Sequence, residues 1–215
     1  MTNPAVWKKV GIDVQTALAS ALTVTAISKA NPAVVSYTGT DPANGDYVLL
    51  EVSGMQMVDN MVVRVANVSA VGDTFECEGL DSTLFDTFIS GTAKVITFGA
   101  SMTTARDITP SGGDPKYTDI TTVHDEIDIQ MPVGFNPVRF GSSSIFDTAD
   151  TALLALRAAS RALTPLAIKF RFANGSKIAF NSYISAPLIP GGSAGGVVET
   201  PISFDAIGLP SVWST

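Results

Sequence analysis

Two alternating runs joined by a turn signal constrain the fold of this chain more than any other sequence feature. Residues 168–172 and 177–181 each alternate apolar with polar or basic side chains, which is the period of a half-buried strand. Asn174 and Gly175 lie between them, and an Asn-Gly pair favours a type I′ turn because both central residues need a positive φ. The pattern therefore predicts an antiparallel hairpin. Its buried face would carry Ile168, Phe170, Phe172, Ile178 and Phe180.

Helical spacing occurs just before this hairpin, over residues 147–163. Asp147 or Thr148 can cap the start of such a helix, Asp150 would favour the positive end of its dipole, and Pro165 would end it. The sequence therefore predicts one amphipathic helix. Its apolar side would be formed by Leu153, Leu154, Leu156, Ala159, Ser160 and Leu163.

Further strands and two loops are indicated by the positions of glycine and proline. Strands are predicted at residues 127–132, 138–146 and 197–207. The glycine-rich residues 191–196 predict a mobile hairpin tip. The prolines and glycines of residues 109–115 predict a loop that separates Arg106 from Tyr117.

The segment 25–93 differs from the C-terminal half of the chain, because short Val-rich strands alternate with turns and no helical stretch occurs. We expect it to form a small β-barrel domain. It would be inserted into a larger, discontinuous β-sandwich domain made of residues 1–24 and 94–215. The fold class expected for the chain is therefore mainly β, with one flanking helix.

The composition excludes several classes of protein. Lys and Arg number 13 against 20 Asp and Glu, for a net charge of -7, which argues against gripping nucleic-acid phosphates. One cysteine, Cys77, and one histidine cannot build a disulfide or a Cys/His zinc site. No stretch predicts a membrane span or a secretion signal, so we expect folding in a reducing cytoplasm. With 46% hydrophobic and 15% charged residues, extensive subunit contacts are expected.

Residues 124–128 form the cluster that most invites a chemical function, because His and carboxylates can bind a metal or transfer protons. In an extended strand, however, neighbouring residues face opposite ways. Glu126, Asp128 and Gln130 would then form an acidic stripe. The opposite, buried face would carry Ile127, Ile129 and Met131. We favour a solvated acidic face over a cation site or catalysis, and assign no catalytic, metal-binding or cofactor-binding residue.

Basic side chains form a second candidate surface on the outward faces of the main sheet. We expect them to be solvated or to pair with acids of a neighbouring subunit, since Arg–carboxylate contacts fix register at interfaces. The candidate inter-subunit contacts are Arg139, Lys169, Arg171 and Lys177.

The helix, the hairpin with its Arg171-Phe172-Ala173-Asn174-Gly175 signature, and a last strand ending near residues 207–210 together resemble the major tail tube proteins of phages with long non-contractile tails. The resemblance covers about residues 95–210, with residues 7–14 as the expected first strand. A second resemblance covers residues 25–93. This segment is similar to a small β module of phage structural proteins, named for its likeness to a half-domain of ubiquitin-activating enzymes, and implies no enzymatic activity.

The tail tube resemblance implies a structural virion protein whose subunits form hexameric rings that stack into a hollow tube for DNA ejection. Its implied partners are other copies of the chain and the tape-measure, tail terminator and tail tip proteins. DNA would pass without specific binding, repelled by the acidic subunits. The acidic stripe would face this lumen or a wet subunit boundary, and the inserted module would lie on the tube exterior. Assembly would occur in the host cytoplasm.

The loops and termini are the remaining candidates for assembly contacts. We expect residues 109–117 and 188–196 to become ordered against neighbouring subunits, with ring-stacking contacts from the first loop and from the termini near Trp7 and Trp213. The alternative function is a host-surface or carbohydrate-binding β module of a tail fibre or spike. The aromatic content of 8% offers little binding platform for that alternative. An enzyme ranks third, for want of a site.

Overall fold

The computed structural model describes residues 9–187 and 189–214, and this part of the chain is mainly β, as predicted. One helix, α1 (Thr151–Ala162), and one 3-10 turn (Gln56–Val58) interrupt the strands. The strands of the first half are β1 (Gly11–Leu18), β2 (Leu22–Ile27), β3 (Ala33–Thr38), β4 (Tyr47–Ser53), β5 (Val62–Ser69), β6 (Thr74–Cys77) and β7 (Ser90–Met102). Those of the second half are β8 (Thr109–Ser111), β9 (Pro115–Asp119), β10 (Gln130–Phe135), β11 (Arg139–Ile145), β12 (Leu166–Arg171), β13 (Lys177–Ser185), β14 (Glu199–Ala206) and β15 (Ser211–Trp213).

A closed barrel and an open sheet share one strand. The barrel runs in the order β2, β3, β6, β5, β4, β7, and β7 pairs again with β2 to close it. The open sheet continues from β7 through β1, β12, β13, β14 and β11 to β8. β7 supplies its first half to the barrel, where Ser53 pairs with Ser90, and its second half to β1, where Ile12 pairs with Met102.

Each of the two parts has its own buried core. Val and Leu side chains, with Tyr37 and Phe75, fill the barrel. Under α1, the open sheet buries a cluster of phenylalanines centred on Phe170, whose ring lies 5.2 Å from that of Phe140 and 5.5 Å from that of Phe180. Burial of such large apolar side chains is the main stabilising contribution to a fold of this kind.

The predicted hairpin is confirmed as β12 and β13, in which Ile168 pairs with Phe180. The predicted type I′ turn is wrong. Of the two central residues only Gly175 has a positive φ, at 93°. Its N–H donates to the Phe172 carbonyl, and the Phe172 N–H donates to Ser176, so a longer loop joins the strands. Phe172 is only half-buried at this loop, as is Ile178 in the strand after it.

The predicted helix is also confirmed, with a different start and a narrower apolar side. Asp150, rather than Asp147 or Thr148, caps it by accepting hydrogen bonds from the N–H groups of Ala152 and Leu153. Leu163 follows the last turn in the left-handed conformation, ahead of Pro165. The buried residues are Ala152, Leu153, Leu156 and Ala159, whereas Leu154 and Leu163 are exposed.

Three strand boundaries differ from the sequence prediction. Residues 109–115 are not a continuous loop, because Thr109–Ser111 pairs with β11 and Pro115 already belongs to β9. Pro110 fits there because β8 is an edge strand and needs no second set of hydrogen bonds. The strand expected at residues 127–132 is displaced to Gln130–Phe135. The first strand begins at Gly11, and residues 7 and 8 of the expected strand lie outside the described residues.

The side of α1 that packs on the sheet provides a direct test of this core. We expect Leu156→Ala, at a fully buried position, to lower the free energy of unfolding by about 3 kcal/mol, because it leaves a cavity. Leu154→Ala, two residues earlier and 46% exposed, should change it by less than about 0.5 kcal/mol. Urea unfolding followed by circular dichroism measures both. Equal losses in the two variants would contradict the helix orientation.

Candidate functional site

A two-stranded hairpin that leaves the edge of the open sheet is the most exposed feature of the described residues. β9 and β10 pair only with each other, as a sheet separate from the main one. Every residue of both strands is exposed. We call residues 112–136, which include both strands and the loop between them, the arm.

The root of the arm is a glycine turn that no larger residue would fit. Gly112 and Gly113 both have positive φ, of 77° and 81°. A Cβ on Gly112 would lie 1.9 Å from the Pro137 carbonyl oxygen, so a side chain there would force the two strands apart. The N–H of Gly113 donates to the Asn136 carbonyl, and this bond continues the pairing of β8 with β11 into the arm.

The tip of the arm is ordered by side chains that bond to nearby backbone. Asp119 accepts hydrogen bonds from the N–H and hydroxyl of Thr121, at 2.8 and 2.5 Å, and Asp125 accepts the same pair from Thr122. These bonds hold the pKa of both carboxyl groups below its ordinary value. Such local turns compete with strand pairing, which explains why β10 begins at Gln130 and not earlier.

Large apolar side chains lie along the arm, and each of them is at least 43% exposed in the described chain. The strands alone expose Tyr117, Met131, Val133 and Phe135, with Phe135 62% exposed. The loop adds Ile120, Val123, Ile127 and Ile129. Contiguous exposed apolar surface of this kind marks an interaction site, and an isolated two-stranded hairpin is only marginally stable in water.

The acidic stripe predicted from strand alternation lies on this arm, but its expected packing is wrong. Glu126 and Asp128 belong to the tip loop, and only Gln130 lies in a strand. The residues expected to be buried behind them, Ile127, Ile129 and Met131, are all exposed. Strand alternation does not predict burial here, because neither face of the arm packs on the rest of the subunit. Whether the stripe faces a lumen stays a prediction.

The basic side chains Lys169 and Arg171 share one buried carboxylate in their own chain. Arg171 donates to both oxygens of Asp13, at 2.6 and 2.8 Å, and the Lys169 ammonium lies 3.2 Å from the same carboxylate. Pairing of β1 with β12 sets this geometry, because Asp13 is directly opposite Lys169. Both cations therefore have a partner within the subunit, and their expected contact with a neighbouring subunit stays a prediction.

Aromatic rings surround the same lysine on the side of the barrel. The Lys169 Nζ lies 4.6 Å from the centre of the Tyr47 ring and 4.4 Å from that of Phe98, and both contacts are favourable for a cation. Burial lowers the pKa of Lys169, against the raising effect of Asp13. Burial alone would raise the pKa of Asp13, but the Arg171 hydrogen bonds and both positive charges hold it below its ordinary value.

The other residues singled out from the sequence either have partners in their own chain or lie away from the Asp13 ion pairs. Arg139 forms an ion pair with Asp205, and Arg106 forms one with Glu199, so both cations tie the sheet edge to β14. Lys177 lies at the start of β13, opposite Arg171. His124 lies in the exposed tip loop of the arm.

Nothing among the described residues groups three or more potential metal ligands. Burial raises the pKa of the Cys77 thiol to about 12. In the described part of the chain, no helix has the length and apolar character needed to cross a membrane.

Trp213, expected in ring stacking, is buried in its own subunit, while Trp7 and Leu188 of the other expected contacts lie outside the described residues.

Sequence reasoning missed the apolar side chains of the arm, above all Tyr117, Val133 and Phe135. A signal was present, since Val133 and Phe135 continue the apolar alternation of Ile127, Ile129 and Met131 in a segment flanked by Gly112–Gly113 and by Asn136–Pro137. A half-buried strand that packs one face on the core of its own subunit gives the same pattern. The sequence therefore did not distinguish a central strand from an arm that meets a partner.

A β subunit with filled cores and an unpartnered apolar arm belongs to the class of self-assembling structural proteins. A family model described as "Phage tail tube protein, TTP" matches residues 53–214, about three quarters of the chain. The chain belongs to this family, and is a structural protein of the virion tail that assembles with other tail components. No curated protein matches it.

The family match also bears on the resemblance expected from the sequence. It confirms the tail tube resemblance and begins earlier than expected, inside β4, so it includes three strands of the barrel. The likeness of residues 25–93 to a half-domain of ubiquitin-activating enzymes stays a prediction, as does the division into two domains.

The ion pairs of Asp13 with Lys169 and Arg171 predict that the free energy of unfolding depends on pH. Since the pKa of Asp13 is lowered in the folded state, its stabilising effect is present above the ordinary value of 3.8 and is lost as the pH falls through the folded value. Asp13→Asn should cost about 3 kcal/mol at pH 7, because two cations lose their buried partner. Below pH 3.8 the difference from wild type should shrink. Urea unfolding followed by tryptophan fluorescence measures both.

The matched control is Glu51→Gln, which breaks the more exposed ion pair with Lys94. It should cost less than about 1 kcal/mol. A loss for Asp13→Asn that is no larger than the control, or that does not change with pH, would contradict the role given to the cluster.

Proposed function

We propose that this protein polymerises as stacked hexameric rings into a hollow conduit through which the phage genome is delivered. The single observation that carries the proposal is the arm, an exposed hairpin whose apolar side chains have no partner within the described chain. The tail tube family supplies the assembly in which such a partner exists, namely another copy of the subunit. The role is structural and involves no catalysis.

The position of the arm favours contacts between subunits over contacts within one. It leaves the sheet at β8, the last strand of the open sheet, and no strand of the described residues pairs with the outer edge of β8. The arm presents apolar side chains, and the adjoining edge of β8 presents backbone groups that have no strand partner among the described residues. Both are suited to a repeating heterologous contact, in which the arm and edge of one copy meet a different surface of the next copy.

The charge balance supports the proposed passage of DNA. With a net charge of -7 per subunit, rings of this protein would repel phosphates and bind DNA poorly, as a conduit requires. We place the stripe of Glu126, Asp128 and Gln130 at the lumen or at a wet boundary between subunits. The barrel would lie on the exterior, and the tape-measure, terminator and tip proteins would contact the tube. Assembly would take place in the host cytoplasm.

The arm can be tested without disturbing the cores. The double variant Tyr117→Asp, Phe135→Asp should abolish tubes, because it puts charges where apolar contacts with a neighbour are proposed. Since both side chains are exposed in the subunit, its free energy of unfolding should change by less than about 0.5 kcal/mol per site. Negative-stain microscopy and sedimentation measure assembly, and thermal unfolding measures stability.

The control is Val71→Asp, on the fully exposed β5–β6 turn of the barrel. Tubes should form normally in this variant. Normal tubes in the double variant, with the control unaffected, would remove the arm from the assembly mechanism.

The lumen assignment has its own test. Glu126→Lys combined with Asp128→Lys should slow DNA ejection, because positive charges in a conduit attract phosphates. Folding should be unaffected, since both residues are exposed. Virions carrying the variant, with ejection followed by fluorescence of a DNA dye, give the rate. Assembled tubes that eject DNA at the normal rate would show that the stripe does not face the lumen.

A further inference from the structure

The last residues of the chain run between the barrel and the open sheet and contact both. We call residues 207–214 the strap. On the sheet side, Ser211–Trp213 pairs with residues 177–179 of β13, and the N–H of Ile207 donates to the Asn181 carbonyl. The strap is therefore held to the sheet by backbone pairing at two places, Ile207 and Ser211–Trp213.

On the barrel side, the strap makes three contacts of different kinds. Ser211 donates its hydroxyl to the Val62 carbonyl at 2.6 Å, and the indole N–H of Trp213 donates to the Glu78 carbonyl at 3.1 Å. At Gly208 the backbones touch, because a Cβ there would lie 2.4 Å from the Asn60 carbonyl oxygen. The contacts reach two separate stretches of the barrel, residues 60–62 and Glu78, so they constrain its orientation as well as its position.

Trp213 also closes the apolar interface between the two parts. It is 5% exposed, packs edge-on against Tyr47 at 5.6 Å, and lies in one buried cluster with Leu49 and Val62 of the barrel and Ala179 of the sheet. Burial of a tryptophan of this size makes a large contribution to any interface.

Apart from the strap, the described residues join barrel and sheet through covalent, aromatic and apolar links. The shared strand β7 and the short connection from β1 to β2 are covalent, Lys169 contacts the Tyr47 ring, and Ala167 of the sheet lies in one buried cluster with Leu49 of the barrel. A continuous strand that leaves one sheet for another can bend and twist, so these links alone leave the angle between the two parts free to vary.

We propose that the strap is a lock that holds the barrel at one angle on the open sheet. Its release lets the barrel pivot about β7 while both cores stay folded. The lock is independent of tube assembly, because every contact that forms it lies within one subunit.

The experiment measures the distance between spin labels on the two parts of the soluble subunit. Val71→Cys carries one label on the barrel and Leu154→Cys the other on α1, both at exposed positions, while Cys77 is fully buried and stays unlabelled. Double electron–electron resonance should give a narrow distribution in this labelled parent. Adding Trp213→Ala should widen it roughly twofold, as local release without global unfolding predicts.

Two further variants separate the lock from a general loss of stability. Gly208→Ala keeps every side-chain contact but forces the strap off Asn60, and should widen the distribution as Trp213→Ala does. Val212→Ala, at the exposed position of the same strap, should leave it narrow. Circular dichroism confirms that each variant is folded, and Ser211→Ala replaces any that is not. Unchanged distributions in the folded barrel-contact variants, or equal widening in Val212→Ala, would overturn the proposal.

Discussion

The backbone hydrogen bonds of β7 are the constraint on which the rest of the subunit depends, because this strand belongs to the barrel and to the open sheet. Its thirteen residues extend roughly 40 Å at the usual rise of a strand. Glycines allow its neighbours to approach in both halves. A Cβ on Gly91 would lie 2.8 Å from the Glu51 carbonyl, and one on Gly99 would lie 2.4 Å from the Thr16 hydroxyl. A larger side chain at Gly91 would push β4 away from β7, whereas one at Gly99 would displace the Thr16 side chain of β1.

Sequence periodicity predicted the parts of the fold in which one face of an element is buried. The β12–β13 hairpin and α1 are of this kind, and Ile168, Phe170 and Leu156 are buried as their spacing required. The cap of α1 was misplaced because several polar residues precede the helix and each can accept the same hydrogen bonds. Only packing decides among them, and Asp150 is the one that also accepts a bond from Thr104 across the sheet.

The candidate site was predicted less well. Strand alternation separates the apolar face of a strand from its polar face, but it does not show which other part of the chain packs on either face. Lys169 and Arg171 were correctly placed opposite the phenylalanine core. That polar face is nevertheless covered at Lys169, since the barrel brings Tyr47 onto it. The partner of both cations, Asp13, is more than 150 residues away in sequence, and only the pairing of β1 with β12 brings it there. The error at the arm was the opposite one, because apolar residues that were expected to be buried are exposed in the subunit.

The charges of the arm have a consequence for the time between synthesis and assembly. Its acids are Asp114, Asp119, Asp125, Glu126 and Asp128, against the single cation Lys116. Two free arms that meet side by side therefore repel each other, although their apolar side chains and strand edges would otherwise favour aggregation. The repulsion acts between identical segments and not between an arm and a surface of different charge. The same residues therefore disfavour association of one arm with another, and they allow the arm to meet a surface of different charge.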